Sequence, residues 1–243
     1  MNLKGVILAG GTGSRLMPLT KVTNKHLLPI GQKPMIYYPI EKMIGAGIEE
    51  IMVVTGTEHM GNIVNLLRSG RDFRCRFTYK VQDEAGGIAQ ALGLAENFCH
   101  PGDLMTVILG DNLFEDSLKP YADAFRKQVK GARILGKEVD DPERFGVAEV
   151  SGDSVVSIEE KPKKPKSHIA VTGIYFYDLQ VFEIIRTCKP SARNELEITD
   201  VNNAYIQKNE MKFDMMTGWW SDAGTFESLT HVDRLASQYP PKF

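Results

Sequence analysis

The sequence predicts an α/β protein whose sheet is mixed but mostly parallel, with helices on both faces. Three observations carry this. Apolar runs of strand length alternate with helical patterns through the first half of the chain. The first apolar run, residues 5–9, is followed at once by Gly10, Gly11 and Gly13, a turn that lets the backbone come close to a ligand. The second half then changes to short strands with little helix between them before helices return.

In chain order, residues 3–9 read as the first strand, followed by a long loop and a helix over 35–46 that Gly47 stops. Residues 51–55 are β-rich, 59–68 helical, 77–81 a third strand and 89–98 a helix rich in Ala and Leu. Residues 105–109 form a buried strand ending at Gly110 and Asp111. A helix over 118–129 and a strand over 133–139 complete this half. Beyond them, 146–150, 155–160 and 171–177 are short strands, with a hairpin expected at Gly152 and Asp153. The KPKKPK run at 161–166 is a basic, proline-broken loop. Helices follow at 179–187 and 198–208, a strand at 212–217 and a last helix at 225–236, and the tail 239–243 is expected to fray. With no repeat, linker or low-complexity tract, the expectation is one domain, 1–243, with a β-rich insert. Ligands in such sheets sit outside the carboxyl ends of the strands.

A chain of 243 residues can bury a full core. Its net charge of −2 gives no general attraction for nucleic acid or an anionic membrane, so any anion binding must be local. Cys75, Cys99 and Cys188 are odd in number, far apart and without a C-x-x-C pair. That argues against a disulfide framework or a zinc site and for reduced thiols in the cytoplasm. The apolar stretch before the glycines is too short for a signal-peptide core. No run approaches the ~18 apolar residues of a membrane span.

Consecutive backbone N–H groups in a glycine turn make a nest for anionic oxygens. Arg15 and Lys25 add fixed positive charge beside it, so the region reads as a polyphosphate site. It is not a P-loop, because no Gly-Lys-Ser/Thr ending exists. It is not the dinucleotide fingerprint either, because Leu16 stands where the third glycine belongs. Asp111, where a buried strand leaves the sheet, is poorly explained by packing, since an unpaired buried carboxylate is costly. Capping the following turn is its simpler alternative. Asp222 lies at another strand-to-helix change and has the same alternative. Together the two carboxylates could hold Mg²⁺, which takes one or two carboxylates plus phosphate oxygens and waters. Glu160 and Lys161 end a strand and could be no more than a solvated strand end. Arg193 precedes Glu197 and Asp200, which could simply favour a helix N-terminus. Gln82, near Gly86 and Gly87, could offer its amide to a base edge.

The runs GVILAGGTGSRLMPLT, NKHLLPI, KPMIYYPI, VQDEAGGIAQAL, LGDN, DPERFGV, EEKP, AVTGIYFYD, SAR with ELEITD, and WWSDAGT are collinear over about residues 3 to 230. They resemble the sugar-1-phosphate nucleotidylyltransferases, most closely those acting on glucose 1-phosphate. The resemblance implies a Rossmann-like three-layer sandwich of the nucleotide-diphospho-sugar transferase type, with a nucleotide-binding half (about 1–115) and a sugar-binding half (about 116–243). It implies Mg²⁺-dependent reaction of dTTP with glucose 1-phosphate to give dTDP-glucose and pyrophosphate, the first step of dTDP-rhamnose and related deoxysugar synthesis, in a cytoplasmic homo-oligomer. Arg15, Lys25, Asp111 and Asp222 would be catalytic, the two aspartates as metal ligands. Leu8, Gly10, Gly11, Thr12, Gly13, Gln82 and Gly87 would bind the nucleotide. Gly146, Glu160, Lys161, Val171 and Arg193 would bind the sugar phosphate.

Four residues depart from the common pattern: His26 for glutamine, Phe145 for tyrosine, Asn194 for glycine and Phe226 for histidine. The C-terminal helical segment that serves a regulatory nucleotide site in longer members is absent from this sequence, which predicts no feedback through that site. Use of UTP in place of dTTP is the nearest alternative. A nucleotide-sugar sensor without turnover and an NAD-dependent oxidoreductase are the more distant ones. The retained acids and cations weigh against the sensor, and the missing glycine against the oxidoreductase.

Overall fold

In this computed structural model, residues 2–151 and 154–243 are described. The chain opens with β1 (Leu3–Ala9), whose seven residues LKGVILA are all buried, the pattern of a strand covered on both faces. Short 3-10 turns lead to a small ribbon of β2 (Pro29–Ile30) and β3 (Lys33–Pro34) and then to α1 (Tyr37–Gly45). Next come β4 (Glu50–Gly56), α2 (Met60–Leu67), β5 (Arg76–Gln82), α3 (Ile88–Gly93), β6 (Leu104–Leu109) and β7 (Asn112–Phe114). They are followed by α4 (Lys119–Gln128), β8 (Ala132–Glu138), β9 (Gly146–Ser151), β10 (Ser154–Glu160) and β11 (Ile169–Tyr177). The chain closes with α5 (Gln180–Thr187), α6 (Ile198–Gln207), β12 (Met211–Met215), β13 (Trp220–Asp222) and α7 (Phe226–Gln238).

Nine strands form one sheet in the order β10-β9-β11-β6-β1-β4-β5, with β8 beside β11 and β12 beside β8. The β6, β1, β4 and β5 strands run parallel, while β11 is antiparallel to β6, β8 and β9. The mixed, mostly helix-covered sheet is therefore as expected, and the antiparallel strands are the β-rich part of the second half. Alternation along β1 sorts its side chains. Leu3, Ile7 and Ala9 pack with α1, α2 and α4, while Val6 and Leu8 pack with α3, α5 and α6 on the other face. The register aligns Leu8 with both Val54 and Leu109, so β1, β4 and β6 end together and deliver Gly10, Gly56 and Asp111 to one edge.

Two expectations change, and a third lies outside the described residues. The helix read over 89–98 is two pieces, α3 and a 3-10 turn at Glu96–Phe98, because Gly93 is a poor helix former at the junction. The hairpin at Gly152 and Asp153 lies outside the described residues, although β9 and β10 pair antiparallel on either side of it. The tail does not fray. Lys242 N donates to Glu115 O at 2.8 Å, and Trp219 Nε1 donates to Tyr239 O at 2.8 Å. Lys42 Nζ donates to the carbonyls of Glu115, Asp116 and Lys242 at 2.9, 2.6 and 2.5 Å. Lys42 sits inside α1, buried, and burial pulls its ammonium down to about 7. A buried ammonium needs acceptors, and the tail supplies one of the three.

Thr106 in β6 is fully buried, and its Oγ1 is the one buried side-chain polar atom among the described residues without a hydrogen-bond partner. Thr106→Val removes that hydroxyl at nearly constant shape. It is expected to raise stability by about 1 kcal/mol, which thermal denaturation would show as an increase in Tm of roughly 2–4 °C.

Candidate active site

A cleft of about 560 Å³ opens at the carboxyl edge of the sheet. One wall contains Leu8, Gly10, Gly11, Gln82 and Gly87. A Cβ at Gly10 would come within 2.8 Å of Gln82 Oε1, so any larger residue there would displace the Gln82 amide. Gly11 has φ +87°, a conformation that favours glycine. Thr12 and Gly13 belong to the same turn but do not line the cleft. Gly13, at φ +61°, instead accepts a hydrogen bond from Thr20 Oγ1 at 2.9 Å, and a Cβ there would meet Thr20.

Arg15 and Lys25 both line the cleft, delivered by the 3-10 turns Ser14–Leu16 and Lys25–Leu27, with a third such turn between them. Asn24 anchors the Lys25 turn to the end of β1. Its Nδ2 donates to Ala9 O at 3.3 Å, and its Oδ1 takes His26 N at 2.9 Å and faces His26 Nδ1 at 2.7 Å. Lys25 Nζ then reaches Asp111 Oδ2 at 2.5 Å. Burial alone would push the Asp111 carboxyl up. The Lys25 charge and the hydrogen bonds from Lys25 and Asn112 outweigh it and hold that carboxyl well below the usual range. Burial, reinforced by Lys25, lowers the neighbouring His26 imidazole to about 3, so it is neutral at ordinary pH.

Asp111 and Asp222 are far apart in sequence and adjacent in space because β7 and β13 pair, with Asp222 opposite Asn112 and Ala223 N donating to Asp111 O at 2.8 Å. Neither aspartate is a helix cap. Asp111 leads into a strand, and the cap of α7 is Thr225, whose side chain and that of Ser228 exchange hydrogen bonds with each other's backbone N–H. The Asp222 carboxyl is raised by burial and by the Asp111 charge, against which Arg144, Arg15 and Lys25 act. Two carboxylates crowded together and ringed by cations form the charge arrangement that a divalent ion relieves. No group of three or more His, Cys, Asp or Glu suited to a metal exists among the described residues. The pair still fits Mg²⁺, which draws its remaining ligands from phosphate oxygens and water.

On the other side, Glu160 at the end of β10 pairs in register with Gly146 at the start of β9, and both line the cleft with Lys161 and Val171. Thr199 Oγ1 donates to Glu160 Oε2 at 2.8 Å. The register of β11 shifts between Val171 and Tyr175, which turns Gly173 N toward Asn112 Oδ1 at 2.9 Å. Arg193 stands outside the lining, bonded to both carboxylate oxygens of Glu197 at 2.9 Å and within 3.5 Å of Glu160. Glu197 therefore serves Arg193 and makes no side-chain cap of α6.

Several cleft residues were not singled out from the sequence. Asn112 donates to Asp111 Oδ1 at 3.1 Å and accepts from Trp220 Nε1 at 2.8 Å, so it orients the aspartate; its place in LGDN was the available signal. Arg144 Nη2 lies 3.4 Å from Asp222 Oδ1, a pairing 78 residues long that no local pattern announces. Tyr175 and Asn202 also face the cleft. Of the unusual residues, Phe145 meets Trp220 edge-on with ring centroids 5.2 Å apart. Asn194 adopts φ +60°, a left-handed conformation that asparagine tolerates in place of glycine. Phe226 is largely exposed at the start of α7.

A doubly wound sheet that gathers a glycine turn, several cations and two carboxylates at its strand ends defines a nucleotide-binding α/β protein equipped for phosphate chemistry. The sequence profile described as nucleotidyl transferase matches residues 4–238, and the chain belongs to that family. It is 44% identical over 237 residues to the glucose-1-phosphate thymidylyltransferase of Neisseria gonorrhoeae, covering 93% of this chain and 80% of that one. It is 42% identical over 236 residues to the enzyme of the same name from Mycolicibacterium smegmatis, again covering 93% and 80%. A Bacillus anthracis crystal structure, provisionally described as a glucose-1-phosphate thymidylyltransferase and solved with a sucrose, superposes with a TM-score of 0.92. It shares 57% identity and covers 96% of this chain and 95% of that one. A UDP-glucose pyrophosphorylase complexed with UDP-glucose superposes at 0.86 with 27% identity, covering 98% and 99%. The fold is that of the nucleotide-diphospho-sugar transferases.

Proposed function

We propose that this protein transfers a thymidylyl group from dTTP to glucose 1-phosphate, releasing pyrophosphate and forming dTDP-glucose. The observation that carries this is the Asp111–Asp222 pair, flanked by Lys25, Arg15 and Arg144, in one cleft between a glycine turn and a Glu160–Lys161 wall. A phosphate oxygen of glucose 1-phosphate attacks the α-phosphorus. The bond from that phosphorus to the bridging oxygen of the β-phosphate breaks, and pyrophosphate leaves with the electron pair. The substrate is itself the nucleophile, so the protein's work is positioning and charge neutralisation.

Arg15 and Lys25 neutralise the triphosphate and the departing pyrophosphate. Mg²⁺, held by Asp111 and Asp222, would supply further neutralisation at the α-phosphate. Lys161, with Arg193 at the rim, attracts the sugar phosphate, while Glu160, Gly146 and Val171 face the hexose. Gln82 and Gly87 face the pyrimidine. On this reading the segment of about 1–115 supplies the nucleotide side and about 116–243 the sugar side. The three free cysteines are in keeping with a cytoplasmic setting.

UTP is the second reading, favoured by the likeness to a UDP-glucose pyrophosphorylase. Thymine and uracil differ by one methyl, which a pocket separates by only about 1–3 kcal/mol. Pyrophosphate release with glucose 1-phosphate, Mg²⁺ and each of dTTP, UTP, CTP, ATP and GTP tests both. Release strongest with dTTP and abolished by chelation is the expected outcome. Release strongest with UTP selects the second reading, and no release from protein that still binds dTDP-glucose overturns both in favour of a sensor.

A further inference from the structure

Gln82 ends β5, is buried and lines the nucleotide side of the cleft. Its amide is committed at one end. Nε2 donates to Gly87 O at 3.3 Å and to Gln90 Oε1 at 2.7 Å, which uses both of its hydrogens. Gln90 Oε1 also accepts from Gly86 N at 3.2 Å. Side-chain amides can be turned over without changing their outline, but here two backbone groups settle both orientations. The Gly86 N–H can only donate, so the Gln90 oxygen must face it. The Gly87 carbonyl can only accept, so the Gln82 nitrogen must face it. Reversing either amide would set donor against donor or acceptor against acceptor.

The consequence lies at the other end of Gln82. Its Oε1 has no partner among the described residues, yet it is not sealed from solvent, because Thr106 Oγ1 is the one such atom that is. It lies against Gly10, where a Cβ would come within 2.8 Å. The cleft is therefore offered a fixed acceptor and no donor from this side chain. A pyrimidine with a proton at N3, thymine or uracil, can donate to that oxygen. Cytosine in the same pose turns the N3 lone pair toward it.

We propose that Gln90 is the positioning residue that sets base selectivity: by holding Gln82 with its carbonyl oxygen turned into the cleft, it makes the site accept pyrimidines carrying N3–H and reject cytosine. The assignment rests on the nucleotidyl-transfer reading for the identity of the ligand, and its geometry is independent of that reading. Gln90 Nε2 has no partner among the described residues, so only the oxygen of Gln90 does this work.

The test compares wild type, Gln90→Leu and Gln90→Glu for dTTP against dCTP in pyrophosphate release with glucose 1-phosphate. Equilibrium binding of dTDP against dCDP reads the same ratio without turnover. Glutamate still accepts from Gln82 and Gly86, so Gln90→Glu is expected to keep the wild-type preference. Leucine accepts from neither and leaves Gln82 held only by the longer 3.3 Å bond to Gly87 O, so Gln90→Leu is expected to loosen the amide and shrink the preference at least about tenfold. A uniform loss with both nucleotides in Gln90→Leu, an equal collapse of the ratio in Gln90→Glu, or a wild type that binds dCDP as well as dTDP overturns the proposal. Failure of the activity reading shows separately, as absence of sugar-phosphate-dependent release with every nucleotide while the binding ratio remains measurable.

Discussion

Asp111→Asn is expected to lower pyrophosphate release roughly a hundredfold to a thousandfold while leaving dTDP-glucose binding measurable. The change removes one negative charge and almost no volume, and Asn112 Nδ2 still has an oxygen to meet at position 111. What is lost is half of the carboxylate pair that gathers positive charge around the reacting phosphate, and several kcal/mol of transition-state stabilisation corresponds to that range of rate. Lys25, now without its partner at 2.5 Å, is free to pair with nucleotide phosphates. Ground-state binding therefore falls little or even tightens. Steady-state turnover, product titration by calorimetry and a melting curve separate the possibilities. Turnover unchanged in folded Asp111→Asn protein would remove Asp111 from the chemistry, and an effect confined to affinity would point to a binding protein without catalysis.

The second large effect is on acid stability. His26 is buried, and its folded-state pKa is lowered to about 3 from 6.5. Between those values the unfolded chain binds a proton that the folded chain does not, so stability falls as the pH drops from about 6.5 toward 3. At about 1.4 kcal/mol per pH unit this group removes roughly 3 kcal/mol by pH 4.5, and about 5 kcal/mol over the whole window is the upper bound. His26→Gln keeps a side chain that can bond Asn24 and deletes the titration. Urea unfolding at pH 7, 5.5 and 4.5 should show the two proteins diverging, with the variant losing less. Carboxylates remote from His26 titrate in both proteins and cancel in the difference. Parallel curves would mean that the imidazole is solvated or paired in its charged form.

The β1, β4 and β6 strands were legible because each is an apolar run bounded by glycine or polar residues, and a parallel sheet buried on both faces leaves that mark. Asp111 was legible for a related reason: an acid at the end of a buried strand has no packing explanation. The pairing of β7 with β13 was not legible. Three-residue strands show no periodicity, yet this ribbon sets Asp222 beside Asp111. The docked tail was hidden too, because its anchor, Lys42, looks like an ordinary surface lysine of a helix until the carbonyls of Glu115, Asp116 and Lys242 converge on it. Arg144 and Gln90 lay in quoted motifs but had no stated task, since their partners are set by folding.

By itself the sequence determined the α/β alternation, the glycine turn with its two cations, and the acids at strand ends, because each is a local consequence of side-chain period, backbone freedom or the cost of burying charge. Only the tertiary structure decided which acids share a site, which cation faces which carboxylate, and which way the Gln82 amide points. Those depend on strand register and on backbone groups brought from distant parts of the chain, and a hydrogen bond's direction is fixed only when both of its partners are in place.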